Sequence, residues 1–169
     1  DKGILDIDVP IKKYIPWLTL SRHEACEQIT LRHLLSHTGG LPRGVITEGS
    51  RDENTIEQSL KQLLPECEIT SLPSEKIHMY SNIGVSLAGL VASTVTGKSY
   101  SQLASKYVLK PLGMNVSTYD LHEAATYLFS LPHEQDESGN LRVQPYIRMN
   151  TMFRASGGSY PSALDLCNL

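Results

Sequence analysis

Apolar side chains recur at helical spacing in several parts of this chain, and the longest such run follows Tyr80. Ile83, Leu87, Leu90 and Val91 share one helical face, while Val85, Ala88, Ala92 and Val95 fill much of the remainder. The pattern predicts a helix covered on most sides and stopped at Gly97. A second run, Tyr100, Leu103, Ala104, Tyr107 and Val108, falls at i, i+3, i+4, i+7 and i+8, with Ser99 and Gln102 as a capping box ahead of it. That stripe is expected to bury itself against the central helix until Pro111-Leu112-Gly113 breaks the run. Upstream, Thr30 is the expected N-cap of a short helix carrying Leu31, Leu34 and Leu35, ended by Gly39-Gly40 and Pro42. Asn54 with Glu57 fits a capping-box variant for a helix whose apolar face is Ile56, Leu60, Leu63 and Leu64, with Pro65 as its stop.

Elsewhere the periodicity is weaker. Residues 1–20 alternate apolar and polar side chains at Ile4, Leu5, Ile7 and Val9 before meeting Pro10 and Pro16, which reads as extended structure with turns. Residues 43–53 read as a polar loop. Residues 115–150 read as a loop-rich excursion containing Pro132, a turn at Gly139 and Pro145. A helix-like pattern starts at Ser162-Ala163-Leu164-Asp165-Leu166, and the sequence stops before it completes the three turns of an average helix. The chain is therefore expected to be a piece of a longer protein. Strand signals are scarce and there is no internal repeat, so the expected class is mainly α.

Composition narrows the functional classes. At 169 residues the chain suits a single domain with a substantial core, and nothing divides residues 1–169. A net charge of −3 and a pI near 6.1 give no electrostatic case for nucleic acid, and no Lys/Arg run suits a membrane surface. No apolar run approaches the roughly 20 residues that span a bilayer. Small-molecule or peptide chemistry fits better. Cys26, Cys67 and Cys167 are odd in number and widely separated, without zinc or redox spacing; free buried thiols are favoured over one bridge with a spare.

Several motif matches dissolve in context. Residues 92–99, ASTVTGKS, satisfy a relaxed phosphate-loop pattern, but their first half lies inside the central helix, where no flexible cradle forms. Ser86 approaches a nucleophile elbow but sits in mid-helix. His33 and His37 have the spacing of helix-borne zinc ligands without the glutamate or a third ligand, so structural or capping roles are expected, and neither a metal nor a cofactor is. Asn115-Val116-Ser117 is too short a pattern to imply glycosylation. Tyr80-Ser81-Asn82 stands out by its place at the head of the central helix. Its plain reading is a cap by Ser81 or Asn82. Its chemical reading is a tyrosine that moves a proton and an asparagine amide that both donates to and accepts from a substrate amide.

Three stretches now point one way. ITLRHLLSHTGGLP (Ile29 to Pro42), the Tyr80-Ser81-Asn82 triplet with its helix and TGKSYSQLASKYVLKPLGM, and ASGGSYPSALDL (Ala155 to Leu166) resemble, in order and spacing, the β-lactamase-related serine hydrolases. That group comprises class C β-lactamases, DD-peptidases of the penicillin-binding-protein type and related esterases. DKGILDIDVPIKKYIPW also resembles the segment following the nucleophile helix, and the likeness is weakest in residues 43–75 and 120–150. It implies the central helical region of an α/β fold whose flanking antiparallel sheet is largely absent from this chain, making residues 1–169 a partial domain. It implies that Tyr80 helps move the proton, that Asn82 orients and binds the substrate, and that Gly157-Gly158 is architectural. No lysine here has a serine three residues before it, and the late Lys-Thr-Gly or His-x-Gly strand is also absent. The implied parent is an acyl-serine hydrolase or peptidase acting on a β-lactam, a peptidoglycan peptide or an ester, placed in the cell envelope, periplasm or outside the cell. This chain alone is expected to be inactive and, through an uncovered face, to self-associate. The alternative is a non-catalytic binding or regulatory domain retaining the helical scaffold.

Overall fold

The computed structural model describes residues 3–44, 49–144 and 150–169. Asp1, at the head of the opening segment, and Pro145 lie outside the described residues. The opening segment forms turns more than extended pairs: Ile11–Lys13 is a 3-10 turn, and Pro10 pairs with Thr30 in an isolated antiparallel bridge. Ile4 and Ile7 are exposed, whereas Ile11, Ile15, Leu18 and Leu20 enter the core.

Helix α1, His23–Gln28, buries Ala25 and Cys26. Its six residues are too few to establish a period, and no side chain caps it, so the sequence did not announce it. Helix α2, Leu31–Leu35, starts at Thr30 as expected: Thr30 Oγ1 accepts the His33 N–H at 3.3 Å, and His33 Nδ1 accepts the Thr30 N–H at 3.2 Å. Its stop is His37 rather than Gly39-Gly40. His37 has φ 58°, its N–H donates to Leu34 O and the Thr38 N–H donates to His33 O at 2.9 Å, which is a Schellman closure with histidine at the left-handed position. The His33/His37 pair is thereby split between the first turn of α2 and the residue beyond its end. Downstream, Gly40 has φ 71°, and a Cβ there would lie 1.9 Å from Ser71 O, so residues 70–71 clamp the glycine loop.

Helix α3, Ile56–Leu63, follows a 3-10 turn at Glu53–Thr55. The expected Asn54 cap is replaced by Asp52, whose carboxylate accepts both the Asn54 N–H at 2.9 Å and its Nδ2 at 2.8 Å. Asn54 is thus a donor inside the turn. Helix α4, Asn82–Thr96, is capped by Ser81 and closed by Gly97 in the left-handed conformation. Leu87 and Val91 are fully buried in its middle, each contributing about 1.5–3 kcal/mol.

Helix α5, Tyr100–Ala104, has the expected Ser99/Gln102 box. Its stripe does not continue as predicted. From Ser105 to Leu109 the backbone widens into a π turn, with the Lys110 N–H reaching Ser105 O five residues back, which rotates Tyr107 and Val108 outward and Leu109 inward. The rest comprises α6, Leu121–Ala124, the antiparallel pair β1, His133–Gln135, and β2, Leu141–Val143, in register His133 to Val143, then α7, Arg154–Gly157, and α8, Ala163–Leu166. Gly139 takes φ 83° in the β1–β2 turn. This is the only sheet among the described residues, and the molecule is mainly α.

One apolar cluster joins Ile11 and Ile15, α2, α3, α4 and Phe153. The stretch beginning at Ala155 packs on α4: a Cβ on Gly89 would lie 2.5 Å from Ala155 Cβ, and Ser86 Oγ is 3.3 Å from Ser156 Oγ. A Cβ on Gly158 would lie 2.9 Å from Arg154 Cα, whereas one on Gly157 meets nothing within 4 Å. Buried Asp165 accepts the Val116 N–H at 3.0 Å and the Ser117 hydroxyl at 2.7 Å, tying the Asn115-Val116-Ser117 segment to α8. All three cysteines are free; Cys26 and Cys67 are buried, but Cys167 is exposed beyond the short α8. Burial pushes the Cys67 thiol above its ordinary value.

Candidate active site at the head of the central helix

Ser81 is the local organiser. Its Oγ accepts the Gly84 N–H at 2.9 Å and donates to Pro42 O at 2.7 Å, so one hydroxyl caps α4 and fastens it to the glycine loop. The plain reading of a capping serine therefore holds, and it leaves the residues on either side free for other work. Tyr80 Oη donates to Asn82 Oδ1 at 3.0 Å. The Asn82 N–H donates to Arg43 O at 2.8 Å, and its Nδ2 reaches Gly44 O at 3.5 Å. Tyr80 is 51% exposed and Asn82 8%. The phenol is thus open to an incoming molecule, while the amide that orients it is held in the fold.

The loop after α2 supplies the rest. The His37 ring lies 4.7 Å from the Tyr80 ring, tilted by 42°, and 5.7 Å from the His78 ring, edge-on. His37 Nδ1 accepts the Ser81 N–H at 3.2 Å, which leaves Nε2 to carry the proton of the neutral ring. His37 O accepts the Met79 N–H at 2.7 Å, and the Arg43 guanidinium carbon is 5.9 Å from the Tyr80 ring centroid. His37 and Arg43 were not singled out for this site by the sequence. A histidine at the residue after a helix end, just before Gly-Gly, was the available signal: the left-handed position normally takes glycine.

Among the described residues, several cavities lie elsewhere. One of 820 Å³ is bounded by Lys98, Lys106, Lys110, Tyr119 and Glu123, and one of 680 Å³ by Tyr127, Leu128, Phe129 and Tyr160; neither is lined by Tyr80 or Asn82. Tyr80 and Asn82 stand at the start of α4, beside the glycine loop. No described helix is long and apolar enough to cross a membrane.

A mainly helical scaffold with a Tyr-x-Asn element at the head of its buried central helix is the helical region of a β-lactamase-related serine hydrolase fold. A family model described as Beta-lactamase matches residues 1–169, and the chain belongs to that family. Protein flp of Staphylococcus aureus (strain MW2) is 29% identical over 119 residues, 70% of this chain and 24% of that protein. The chain thus spans about a quarter of the length of such curated relatives. Among solved structures, the octameric penicillin-binding protein homologue from Pyrococcus abyssi superposes with a TM-score of 0.78 and 26% identity over 99% of this chain and 39% of that one. FmtA from Staphylococcus aureus gives a TM-score of 0.77 at 21% identity over 99% of this chain and 44% of that one, a likeness of fold.

Proposed function

We propose that this chain carries the proton-moving and substrate-orienting element of an acyl-serine hydrolase or peptidase acting on a β-lactam, a peptidoglycan peptide or an ester. The observation that carries the reading is the 3.0 Å bond from the exposed Tyr80 hydroxyl to the buried Asn82 amide at a capped, rigid helix end. In acyl transfer the serine oxygen bonds the carbonyl carbon as its proton departs, and the leaving group takes up a proton. Tyr80 Oη serves as the relay, taking the serine proton on a lone pair and passing its own proton on, so it ends neutral. Asn82 holds the phenol through Oδ1 and binds the substrate amide through its amide group. The serine nucleophile is outside these 169 residues, because no lysine of the chain completes a Ser-x-x-Lys motif. The chain alone is therefore inactive.

Residues 1–169 act as one partial domain, supported by the contiguous core. The family resemblance supports a cell-envelope, periplasmic or extracellular location, checked by fractionation. The octameric state of the Pyrococcus abyssi homologue supports self-association. The deciding experiment replaces Tyr80 by Phe and Asn82 by Ala in the intact protein, assayed on a chromogenic cephalosporin, a D-alanyl-D-alanine peptide and a p-nitrophenyl ester. Tyr80→Phe is expected to lower kcat by about 10²–10⁴-fold with little change in Tm. Unchanged turnover in that variant overturns the catalytic reading in favour of a non-catalytic domain that kept the scaffold.

A further inference from the structure

We propose that His37 is the positioning residue of this site, holding the Tyr80–Asn82 pair in reacting geometry; this rests on the reading of that pair as catalytic. The first observation is conformational. His37 closes the Schellman turn of α2 at φ 58°, a left-handed position where a Cβ is crowded and glycine is the usual occupant. The chain has Gly39-Gly40 two residues further on, yet places an imidazole at the position that would most favour glycine. A strained position that keeps its side chain points to work done by that side chain.

The second observation is what the imidazole touches. Nδ1 accepts the N–H of Ser81, the residue between Tyr80 and Asn82, at 3.2 Å. The ring wall stands 4.7 Å from the Tyr80 ring on one side, and His78 closes its edge at 5.7 Å. The backbone joins in, since His37 O takes the Met79 N–H at 2.7 Å. One residue thus fixes the backbone on which the phenol and the amide sit, and also limits the swing of the phenol ring. The bond requires an unprotonated Nδ1. The ionisable or charged groups seen facing this cluster are His78, Tyr80 and Arg43.

The test has a structural and a kinetic arm. In the ¹⁵N-labelled intact protein, the His37 ring is expected as the Nε2–H tautomer, with a scalar coupling across the hydrogen bond between the Ser81 amide nitrogen and Nδ1. A proton on Nδ1 in the neutral ring overturns the proposal. In the intact protein, His37→Leu is expected to lower kcat by about 10–100-fold, the scale of a misplaced reacting group, with a smaller change in KM. His37→Asn offers an amide oxygen near the place of Nδ1 and tolerates the left-handed backbone, so it is expected to restore most of that loss. If Tyr80→Phe abolishes turnover while His37→Leu keeps wild-type kcat, the positioning role fails and the catalytic pair stands. If His37→Leu and His37→Asn fall equally, the Nδ1 contact is not the operative one and the proposal also fails. Wild-type turnover in Tyr80→Phe overturns both readings together.

Discussion

Side-chain protonation is set at this scale by burial and by near neighbours, and Tyr119 shows the effect most clearly. Burial first, and the adjacent Tyr100 next, push its phenol from 10.0 up to about 12. Burial also raises Tyr160. The folded protein therefore keeps a proton on Tyr119 that the unfolded chain releases near pH 10. Since the native state holds more protons in that window, this group leaves stability flat below about pH 10 and lowers it between about pH 10 and about 12. Tyr119→Phe is expected to flatten that alkaline decline, read as the urea midpoint against pH, while phenolate absorbance shows the late-titrating tyrosine disappear. An unchanged alkaline slope in the variant counts against a raised Tyr119. Local chemistry of another kind was legible directly: Thr30, Ser99 and Gly97 cap or close their helices as their residue types dictate. Each bond involved spans only a few residues, so the sequence contains both partners side by side.

Elements are joined here by contacts between distant parts of the chain, and the clearest is the Arg154 junction. Arg154, 8% exposed at the start of α7, donates Nη1 to Tyr119 O at 2.7 Å and places Nε 3.2 Å from a Glu53 carboxylate oxygen. Glu53 in turn accepts the Ser101 hydroxyl of α5. The junction thus binds the turn before α3, α5 and α7. Removing one partner of this partly buried pair leaves the other charge without its counterion and destabilises, whereas removing both costs less. Arg154→Met is accordingly expected to destabilise strongly, and Glu53→Gln in the same chain to recover part of the loss, as measured by chemical denaturation. Additive losses in the double variant would contradict a stranded charge. Element packing also explains where periodicity misled. Tyr107 and Val108 continue the stripe of α5 on an ideal helix, but the π turn at Ser105–Leu109 changes the angle per residue, and Leu109 takes the inward place.

For the whole molecule, the informative surface is the apolar one left uncovered. Leu128 is fully exposed, Tyr127 and Leu131 are about half exposed, and Leu164 and Leu166 project from α8. Exposed apolar groups favour association, and the occupant expected for the chain on its own is a second copy. Sedimentation velocity should show a weight-average mass rising with concentration, and Leu128→Glu should move the curve to higher concentration. A strictly monomeric boundary at high concentration would set this aside.

By itself the sequence determined the mainly helical class, the central helix, its caps and the Tyr80–Asn82 element, because apolar period and capping chemistry act between residues a few positions apart. It also carried the family likeness, through three ordered stretches. The tertiary structure alone decided that the glycine loop and the triplet lie bonded to one another. The His37 Nδ1 to Ser81 N–H bond joins residues 44 apart, the Ser81 hydroxyl reaches a carbonyl 39 residues back, and Asp165 meets Ser117 across 48. No period or cap encodes such pairings. They arise when burial of the common core fixes where distant segments meet; at the ends of α2 and α4 that meeting places the His37 ring beside the Tyr80 phenol and the phenol on the Asn82 amide.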